Sequence, residues 1–274
     1  MRVLLSLVIA LALPASALAE EQCKFSEPRQ LDLQLAGVKS VLFEVHSNDL
    51  RLQAQPGNNG RLSGRACAAK ADLLKGLNVT QKRVGDKLVV TLAADRLPRM
   101  SIGEHYAYLD LRGSVPDALL VQLDVGSGDA EIDGAATVSA DVGSGDVAVR
   151  HSKGRVTAKV GSGDVELQDV GSLRVLSVGS GDLKARQIRG AADIGAVGSG
   201  DVQLQGVAGN VTVGTVGSGD VEIADVQGSV TVEAISSGSL DVRKVGGDLS
   251  VARKGSGDID VSDVAGATRV PTDR

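Results

Sequence analysis

Aromatic residues are almost absent from this chain: its 274 residues include two phenylalanines, two tyrosines and no tryptophan. Proteins that bind single-stranded nucleic acid stack the bases on such rings. Nucleic-acid binding also needs a basic surface, whereas the formal net charge here is −5. We therefore predict no nucleic-acid partner, and a thin, regular core built from valine, leucine, isoleucine and alanine.

Long hydrophobic runs are absent after the first residues. Residues 3–13 form an apolar stretch that follows Arg2 and precedes the small-residue sequence Ala17-Leu18-Ala19. The stretch is too short to span a bilayer, and its flanks are those of a secretory signal peptide. We predict cleavage after Ala19 and an exported mature chain, periplasmic or extracellular, without a transmembrane segment.

Cysteine and histidine are scarce. The two cysteines, Cys23 and Cys67, predict a disulfide, because an even number of cysteines in an exported protein is usually paired. Two unpaired thiols are the alternative. The three histidines, His46, His105 and His151, have no spacing typical of metal ligation. We therefore predict no catalytic residue, no cofactor and no enzyme activity.

What the chain has in abundance is glycine, with 35 residues, and a five-residue repeat. Val-Gly-Ser-Gly-Asp begins at Val125, Val142, Val160, Val178, Val197 and Val216, and variant copies begin at Ile235 and Lys254. The repeat aspartates are Asp129, Asp146, Asp164, Asp182, Asp201, Asp220 and Asp258, with Ser239 in the seventh place. Successive positions lie 17 to 19 residues apart. A fixed period of this size predicts a solenoid of stacked, similar coils.

Each coil also has an internal pattern. Apolar residues alternate with polar or small ones after Asp201, and the same offsets recur after Asp220. Such alternation is typical of strands with one buried face. A second break occurs at a glycine eight residues after the aspartate position, at Gly209, Gly228, Gly247 and Gly266. The sequence thus predicts an all-β fold: a right-handed parallel β-helix, or β-solenoid, with 17–19-residue coils of two short strands each.

The repeated corner has two interpretations. In the first it is structural: the glycines adopt positive φ, and the aspartate carboxylate accepts hydrogen bonds from the amides of its own turn. In the second, the stacked aspartates bind calcium. We favour the first, because the calcium-binding toxin repeat recurs every nine residues or so and places its aspartate differently.

The chain divides into three predicted parts: the signal peptide (1–19), an irregular N-terminal β portion that covers the end of the solenoid (20–120), and the regular repeat (121–274). Within the irregular part, residues 41–53, 87–92 and 106–115 read as strands, and residues 68–75 as a short helix or a loop. The C-terminal sequence VPTDR offers little cover for the last coil. We therefore predict weak end-to-end self-association.

The repeat, seen in VGSGDVQLQ and VGSGDVEIA, resembles that of the bacterial β-strand-repeat proteins labelled "putative adhesin", a domain of unknown function related to the autotransporter-adhesin head domain. The approach LDLRGSVPDALLVQLDVGSGD carries the same resemblance. It covers nearly all of the mature chain and implies a secreted or envelope-associated β-solenoid. It brings no catalytic residues with it.

These observations predict a non-catalytic exported scaffold for adhesion or for interaction with the cell envelope. Its partner would be an unknown envelope or surface component. A carbohydrate-active enzyme built on a β-helix is one alternative, although coils of 17–19 residues leave no room for the long loops that build a cleft. An envelope-stress sensor or regulator is the other.

Overall fold

The computed structural model describes residues 23–57, 59–94 and 106–271, which form 24 strands and one 3-10 helix, Ala71–Gly76. In chain order the strands are β1 (Phe25–Asp32), β2 (Ser40–His46), β3 (Asp49–Gln55), β4 (Arg61–Ala68), β5 (Leu77–Val84), β6 (Lys87–Ala94), β7 (Ala107–Pro116), β8 (Leu120–Val125), β9 (Asp129–Asp133), β10 (Thr137–Val142), β11 (Val147–Arg150), β12 (Arg155–Val160), β13 (Val165–Val170), β14 (Ser172–Val178), β15 (Leu183–Ile188), β16 (Ala192–Val197), β17 (Val202–Val207), β18 (Val211–Val216), β19 (Val221–Val226), β20 (Val230–Ile235), β21 (Ser239–Val245), β22 (Leu249–Lys254), β23 (Asp258–Val264) and β24 (Thr268–Arg269). The predicted all-β fold is confirmed.

The strands form two sheets of twelve. Sheet A has the order β1-β4-β7-β3-β9-β11-β13-β15-β17-β19-β21-β23, and sheet B has the order β24-β22-β20-β18-β16-β14-β12-β10-β8-β2-β6-β5. From β8 onward, each coil contributes one strand to each sheet, and equivalent residues of neighbouring coils pair in parallel, as Val202 does with Val221. The predicted solenoid, with two strands per coil, is confirmed. Its right-handed sense stays a prediction.

The core consists of small aliphatic side chains stacked in columns between the two sheets. The predicted inward positions of the coils after Asp201 and Asp220 are all at most 2% exposed: Val202, Leu204, Val207, Val211, Val213, Val216, Val221, Ile223, Val226, Val230, Val232 and Ile235. One continuous apolar cluster runs from Leu33 to Val251. It crosses residue 120, so the irregular and regular parts share a core, and the proposed division there stays a prediction.

The drift of coil length from 17 to 19 residues comes from two single-residue insertions. Four residues, 134–137, separate Asp133 from the core residue Val138, but five residues, 151–155, occupy the equivalent bend of the next coil. The second insertion is Leu176, a bulge between residues that pair with the adjacent Ala158 and Lys159. Coils from Asp182 onward contain both insertions, so their length stays at 19 residues.

The N-terminal part does not stack in chain order. The coil formed by β2 and β3 lies between the strands β6 and β7 and the strands β8 and β9, although β6 and β7 come later in the sequence. Beyond them, β4, β1 and β5 pair antiparallel and cover the end. The three predicted strand regions are confirmed. For residues 68–75 the sequence left a short helix or a loop open, and the structure has the 3-10 helix Ala71–Gly76 there, after β4 ends at Ala68.

Asn48 joins the three innermost elements of this cap and is fully buried. Its Nδ2 donates to the carbonyl oxygens of Val45 and Leu92, both at 2.8 Å, and its Oδ1 accepts from the N–H of Leu109 at 2.8 Å. Both polar atoms of the buried side-chain amide therefore have backbone partners, as buried polar groups in folded proteins generally do.

The predicted disulfide between Cys23 and Cys67 is present, with 5.5 Å between the two Cα atoms. Cys67 lies on β4, and Cys23 comes just before β1, which pairs antiparallel with β4. The bridge therefore ties the start of the described chain to the cap, and closing this loop restricts the unfolded chain.

The predicted signal peptide, residues 1–19 with cleavage after Ala19, lies outside the described residues. In the part of the chain that the structure describes, no helix has both the length and the hydropathy of a membrane span.

Candidate functional site

The repeat aspartates lie in one straight column at the start of the sheet A strands. Strand register adds two members that the repeat did not predict: Asp49 pairs with Asp129 on one side and with Asp110 on the other. In spatial order the column is Asp110, Asp49, Asp129, Asp146, Asp164, Asp182, Asp201, Asp220, Ser239 and Asp258. Asp49 could have been found from its Ser-Asn-Asp corner, whereas Asp110 has no corner motif before it.

From Asp129 to Asp220, each column carboxylate is bonded to the next coil, not to its own turn. Oδ1 of Asp164 accepts the backbone N–H of Asp182 at 3.1 Å, and Oδ1 of Asp201 accepts that of Asp220 at 3.0 Å. Every aspartate from 129 to 220 does the same, at 3.0 to 3.3 Å. The prediction that the carboxylate bonds the amides of its own turn is therefore wrong. In the stacked coils, the backbone N–H of the next coil, and not an N–H of the same turn, lies within hydrogen-bonding distance of each of these carboxylates.

The glycines of the corner have a different role from the one predicted. Positive φ occurs at five described glycines, and none of them belongs to a Gly-Ser-Gly corner. A Cβ atom built on Gly163 would lie 1.8 Å from the carbonyl oxygen of Gly145, and one on Gly200 would lie 1.8 Å from that of Gly181. These residues are glycine because backbone packs directly on backbone from coil to coil.

Positive φ occurs instead at the fifth residue after each aspartate position, where the chain leaves sheet A. Gly134 and Gly206 occupy this position in two coils. The other coils place non-glycine residues there, at φ of 52° to 59°: His151, Asp169, Gln187, Asp225, Lys244 and Asp263. Asp169 and Asp225 thus belong to a regular column, and their side chains mark a bend of the backbone.

A second, shorter ladder runs along the opposite corner. The N–H of Ser229 donates to Oδ1 of Asn210 at 2.9 Å, and the N–H of Asp248 donates to the Ser229 hydroxyl at 3.1 Å. The N–H of Ala267 in turn donates to Oδ1 of Asp248 at 2.8 Å. In the late coils, side-chain acceptors at both corners therefore bind the backbone N–H of the next coil. This indicates that these polar residues stabilise the stack of coils.

A shallow groove of about 500 Å³ follows the aspartate column across five coils of sheet A. Its charged lining residues are Asp49, Asp129, Glu131, Asp146, Asp164, Glu166 and Asp182, with Arg51 and Lys184 as the cations. Burial raises the pKa of Asp49, and the neighbouring charges of Asp129 and Asp110 raise it further, in part against Arg51. The groove is therefore an acidic surface. Asp49 is the groove carboxyl whose ionised form is disfavoured by burial and by neighbouring negative charge.

Beside the groove, outward residues of neighbouring coils form ion pairs. Arg150 pairs with Glu131, Arg243 pairs with Glu222, and Arg186 lies 3.8 Å from Glu166. Such exposed pairs each contribute little to stability, between about 0 and 1 kcal/mol. Asp110 is likewise paired, with Arg51 and Arg65. The main effect of these pairs is to neutralise part of the face, so the column carboxylates that line the groove, from Asp49 to Asp182, stand out as its acidic feature.

No group of three or more histidine, cysteine, aspartate or glutamate side chains in the described residues could hold a metal ion. A calcium ion needs six to eight oxygen ligands, and one oxygen of each aspartate from 129 to 220 already accepts a backbone N–H. His151 Nδ1 lies 2.8 Å from Asp133 Oδ1, whereas His105 lies outside the described residues.

Residues 155–264 match the family described as "Putative auto-transporter adhesin, head GIN domain". The match confirms the resemblance over a part of the regular coils that is less than half of the chain. Among curated proteins, none matches the chain.

Several solved structures are similar to this chain at low sequence identity. A "putative adhesin" from Bacteroides fragilis is 14% identical, with a TM-score of 0.41 over 87% of this chain and 98% of the other. A "putative adhesin" from Parabacteroides merdae is 13% identical, with a TM-score of 0.43 over 86% and 96%. A "Putative lipid binding protein" from Parabacteroides distasonis is 17% identical, with a TM-score of 0.45 over 86% and 96%. Likenesses at this level do not establish a function.

Proposed function

We propose that this chain is an exported, non-catalytic scaffold that binds an envelope or surface component through the acidic groove of sheet A. The observation that carries the proposal is the extended acidic surface: seven carboxylates and only two cations line a groove that crosses five coils. An open groove of this kind suits docking of an extended partner with positive charge, because electrostatic complementarity guides and orients association. The match to an adhesin head domain supports the same class of function.

A structural role for the repeated polar residues supports the non-catalytic part of the proposal. The column aspartates hold neighbouring coils together, and the described histidines, His46 and His151, occupy bends of the backbone. Catalysis needs a nucleophile, acid or base placed against a bound substrate. In the described residues we find no such arrangement that would favour the alternative of a carbohydrate-active enzyme. No observation on these residues favours the alternative of a stress sensor.

The groove can be tested without disturbing the ladder. Glu131 and Glu166 line the groove but accept no backbone N–H from a neighbouring coil. We expect the double variant Glu131→Gln, Glu166→Gln to lose binding to immobilised envelope components at low salt. The matched control, Asp124→Asn with Glu233→Gln, removes two charges from sheet B and should bind like the unaltered chain.

The results of this experiment distinguish a wrong docking surface from a wrong function. Equal binding by both double variants would place the docking surface elsewhere on the molecule. Failure of the unaltered chain to retain any envelope component, at any ionic strength, would contradict the scaffold function itself. Because attraction between exposed charges weakens with salt, binding that is indifferent to salt would also count against the groove.

A further inference from the structure

Three arginines lie side by side on the outer face of sheet A, next to the acidic groove. Arg51 on β3 is directly opposed to Arg112 on β7. Arg65 on β4 is opposed to Asp110, which lies two residues before Arg112. Leu111, between Asp110 and Arg112, is fully buried, so the residues on either side of it point outward. Arg51, Arg65 and Arg112 form the arginine cluster.

Arg112 is the member of the cluster that has no partner. Its side chain is exposed and forms no hydrogen bond or ion pair with any residue that the structure describes. The residue opposed to it on one side is Arg51, and the residue opposed to it on the other side is Ser63 of β4. Two neighbouring guanidinium groups repel each other. An anion bound between them would remove this repulsion.

Asp110 orients the other two members and leaves most of their donors free. Its Oδ1 accepts from Nη1 of Arg51 at 2.9 Å, and its Oδ2 lies 3.6 Å from Nε of Arg65. A guanidinium has five N–H groups. Nε and Nη2 of Arg51, and both terminal nitrogens of Arg65, donate to no described residue. These N–H groups are available to an acceptor from outside the chain.

The acids around the cluster do not neutralise it. Asp110 is shared by two arginines, and Asp49 is the second carboxyl that interacts with Arg51. Burial and neighbouring negative charges raise the pKa of Asp49, so its ionised form is disfavoured. Glu131, which is opposed to Arg51 on β9, pairs with Arg150 instead. The three arginines therefore have two carboxyls between them, and positive charge is left over.

We propose that the arginine cluster binds a phosphate monoester, with Arg112 as its main ligand and Arg51 and Arg65 beside it. A phosphate monoester presents three strong acceptor oxygens, and guanidinium groups bind such oxygens through paired, charge-assisted hydrogen bonds. The cluster lies on an open sheet face, which suits a phosphate carried by a larger molecule, either a lipid headgroup or a soluble compound. This is a second binding region, for the opposite charge, and it does not depend on the acidic groove.

Arg112→Gln tests the proposal, and Arg61→Gln is the matched control. Arg61 lies on the same face, but its Nε and Nη2 already donate to Asp32 at 2.6 and 3.3 Å. We expect calorimetry at low salt to show that glycerol 3-phosphate binds the unaltered chain and Arg61→Gln alike. Arg112→Gln should bind it about tenfold more weakly, because the charge-assisted contact is lost. Arg112→Lys keeps the charge but not the planar fork, and should also bind more weakly.

Vesicles distinguish the two sources of the phosphate. Binding to phosphatidylcholine vesicles that contain phosphatidic acid, but not to phosphatidylcholine alone, would indicate a lipid headgroup if Arg112→Gln abolishes it. Binding of glycerol 3-phosphate without binding to these vesicles would indicate a soluble compound.

Three results would overturn the proposal: equal losses in Arg112→Gln and Arg61→Gln, which would indicate diffuse attraction; acetate that binds as tightly as glycerol 3-phosphate; or no binding of either phosphate probe. Thermal melting provides the control for folding. Because Arg112 has no partner among the described residues, Arg112→Gln should melt no lower than the unaltered chain.

Discussion

The Oδ1 atom of Asp201 lies 3.0 Å from the backbone nitrogen of Asp220 in the next coil and accepts its N–H. The bond recurs from coil to coil, so the column of aspartates is a side-chain ladder that runs alongside the backbone ladder of sheet A. It joins successive coils at the corners, beside backbone bonds such as the one from the N–H of Ser218 to the carbonyl oxygen of Gly198 at 2.8 Å. Several expectations for stability follow from it and from neighbouring features of the coils.

Removal of one ladder acceptor should weaken the stack. We expect Asp201→Ala to lower the free energy of unfolding by about 1 kcal/mol, since a backbone N–H loses its partner. Asp201→Asn keeps an oxygen that can accept the same bond and should cost less. Urea unfolding measures both, with Gln203→Ala on the outer face of sheet A as the control. Equal losses in the alanine and asparagine variants would show that the bond is not the cause.

Corner glycines should tolerate no side chain. A Cβ atom on Gly200 would lie 1.8 Å from the oxygen of Gly181, so the coils must separate locally, at a cost of about 1 to 3 kcal/mol or more. Gly206 provides the contrast: its φ is +74°, but the nearest atom to an added Cβ is 3.6 Å away. Gly206→Ala should therefore cost less, about 1 kcal/mol. Denaturant midpoints that rank the two variants in reverse order would contradict the packing argument.

Ser152 is a polar residue in an apolar column. It is fully buried, and its hydroxyl oxygen has no hydrogen-bond partner. The equivalent residues of the flanking coils are Ala135 and Val170, both buried. We expect Ser152→Ala to raise the free energy of unfolding by about 1 kcal/mol, because the desolvated hydroxyl is removed. Ser139→Ala, on the outer face of sheet B, should have no effect, and a destabilised Ser152→Ala variant would point to an unseen partner.

Asp49 should make stability depend on pH. Burial and the charges of Asp129 and Asp110 raise its pKa above the ordinary value for an aspartate. The folded state therefore holds the proton more tightly than the unfolded chain, and ionisation of Asp49 lowers stability as the pH rises through the folded-state pKa. We expect Asp49→Asn to be more stable than the unaltered chain at pH 7, by up to about 1 kcal/mol. This advantage should vanish below about pH 3, where the carboxyl is protonated in both states; an advantage that is constant with pH would argue for another cause.

Calcium should leave the melting temperature unchanged. The carboxylates of the column are already used in the ladder, and the described residues contain no ready-made cluster of metal ligands. Thermal melting with millimolar calcium is to be compared with melting in the presence of a chelator. A higher midpoint with calcium, lost in Asp164→Asn, would revive the calcium interpretation of the column.

The sequence by itself determined the architecture of the regular coils. The alternation after Asp201 and the corner glycines specify which residues face inward and where the chain turns. Because the pattern recurs in phase, any coil that follows it can bury its apolar edge only by stacking on the next. The pairing of Cys23 with Cys67 was likewise predictable from their number and from the export that the N-terminal sequence predicts.

Only the tertiary structure decided what lies in contact across coils. No local sequence pattern predicts that β3 lies between β7 and β9. This strand order depends on packing between residues that are far apart in the chain. It also determines that Asp110 and Asp49 belong to the same column. The acceptor role of Asp201 toward the next coil has the same origin. The residues of a turn determine where the chain changes direction. The spacing between stacked coils determines which backbone N–H the aspartate carboxylate of that turn can accept.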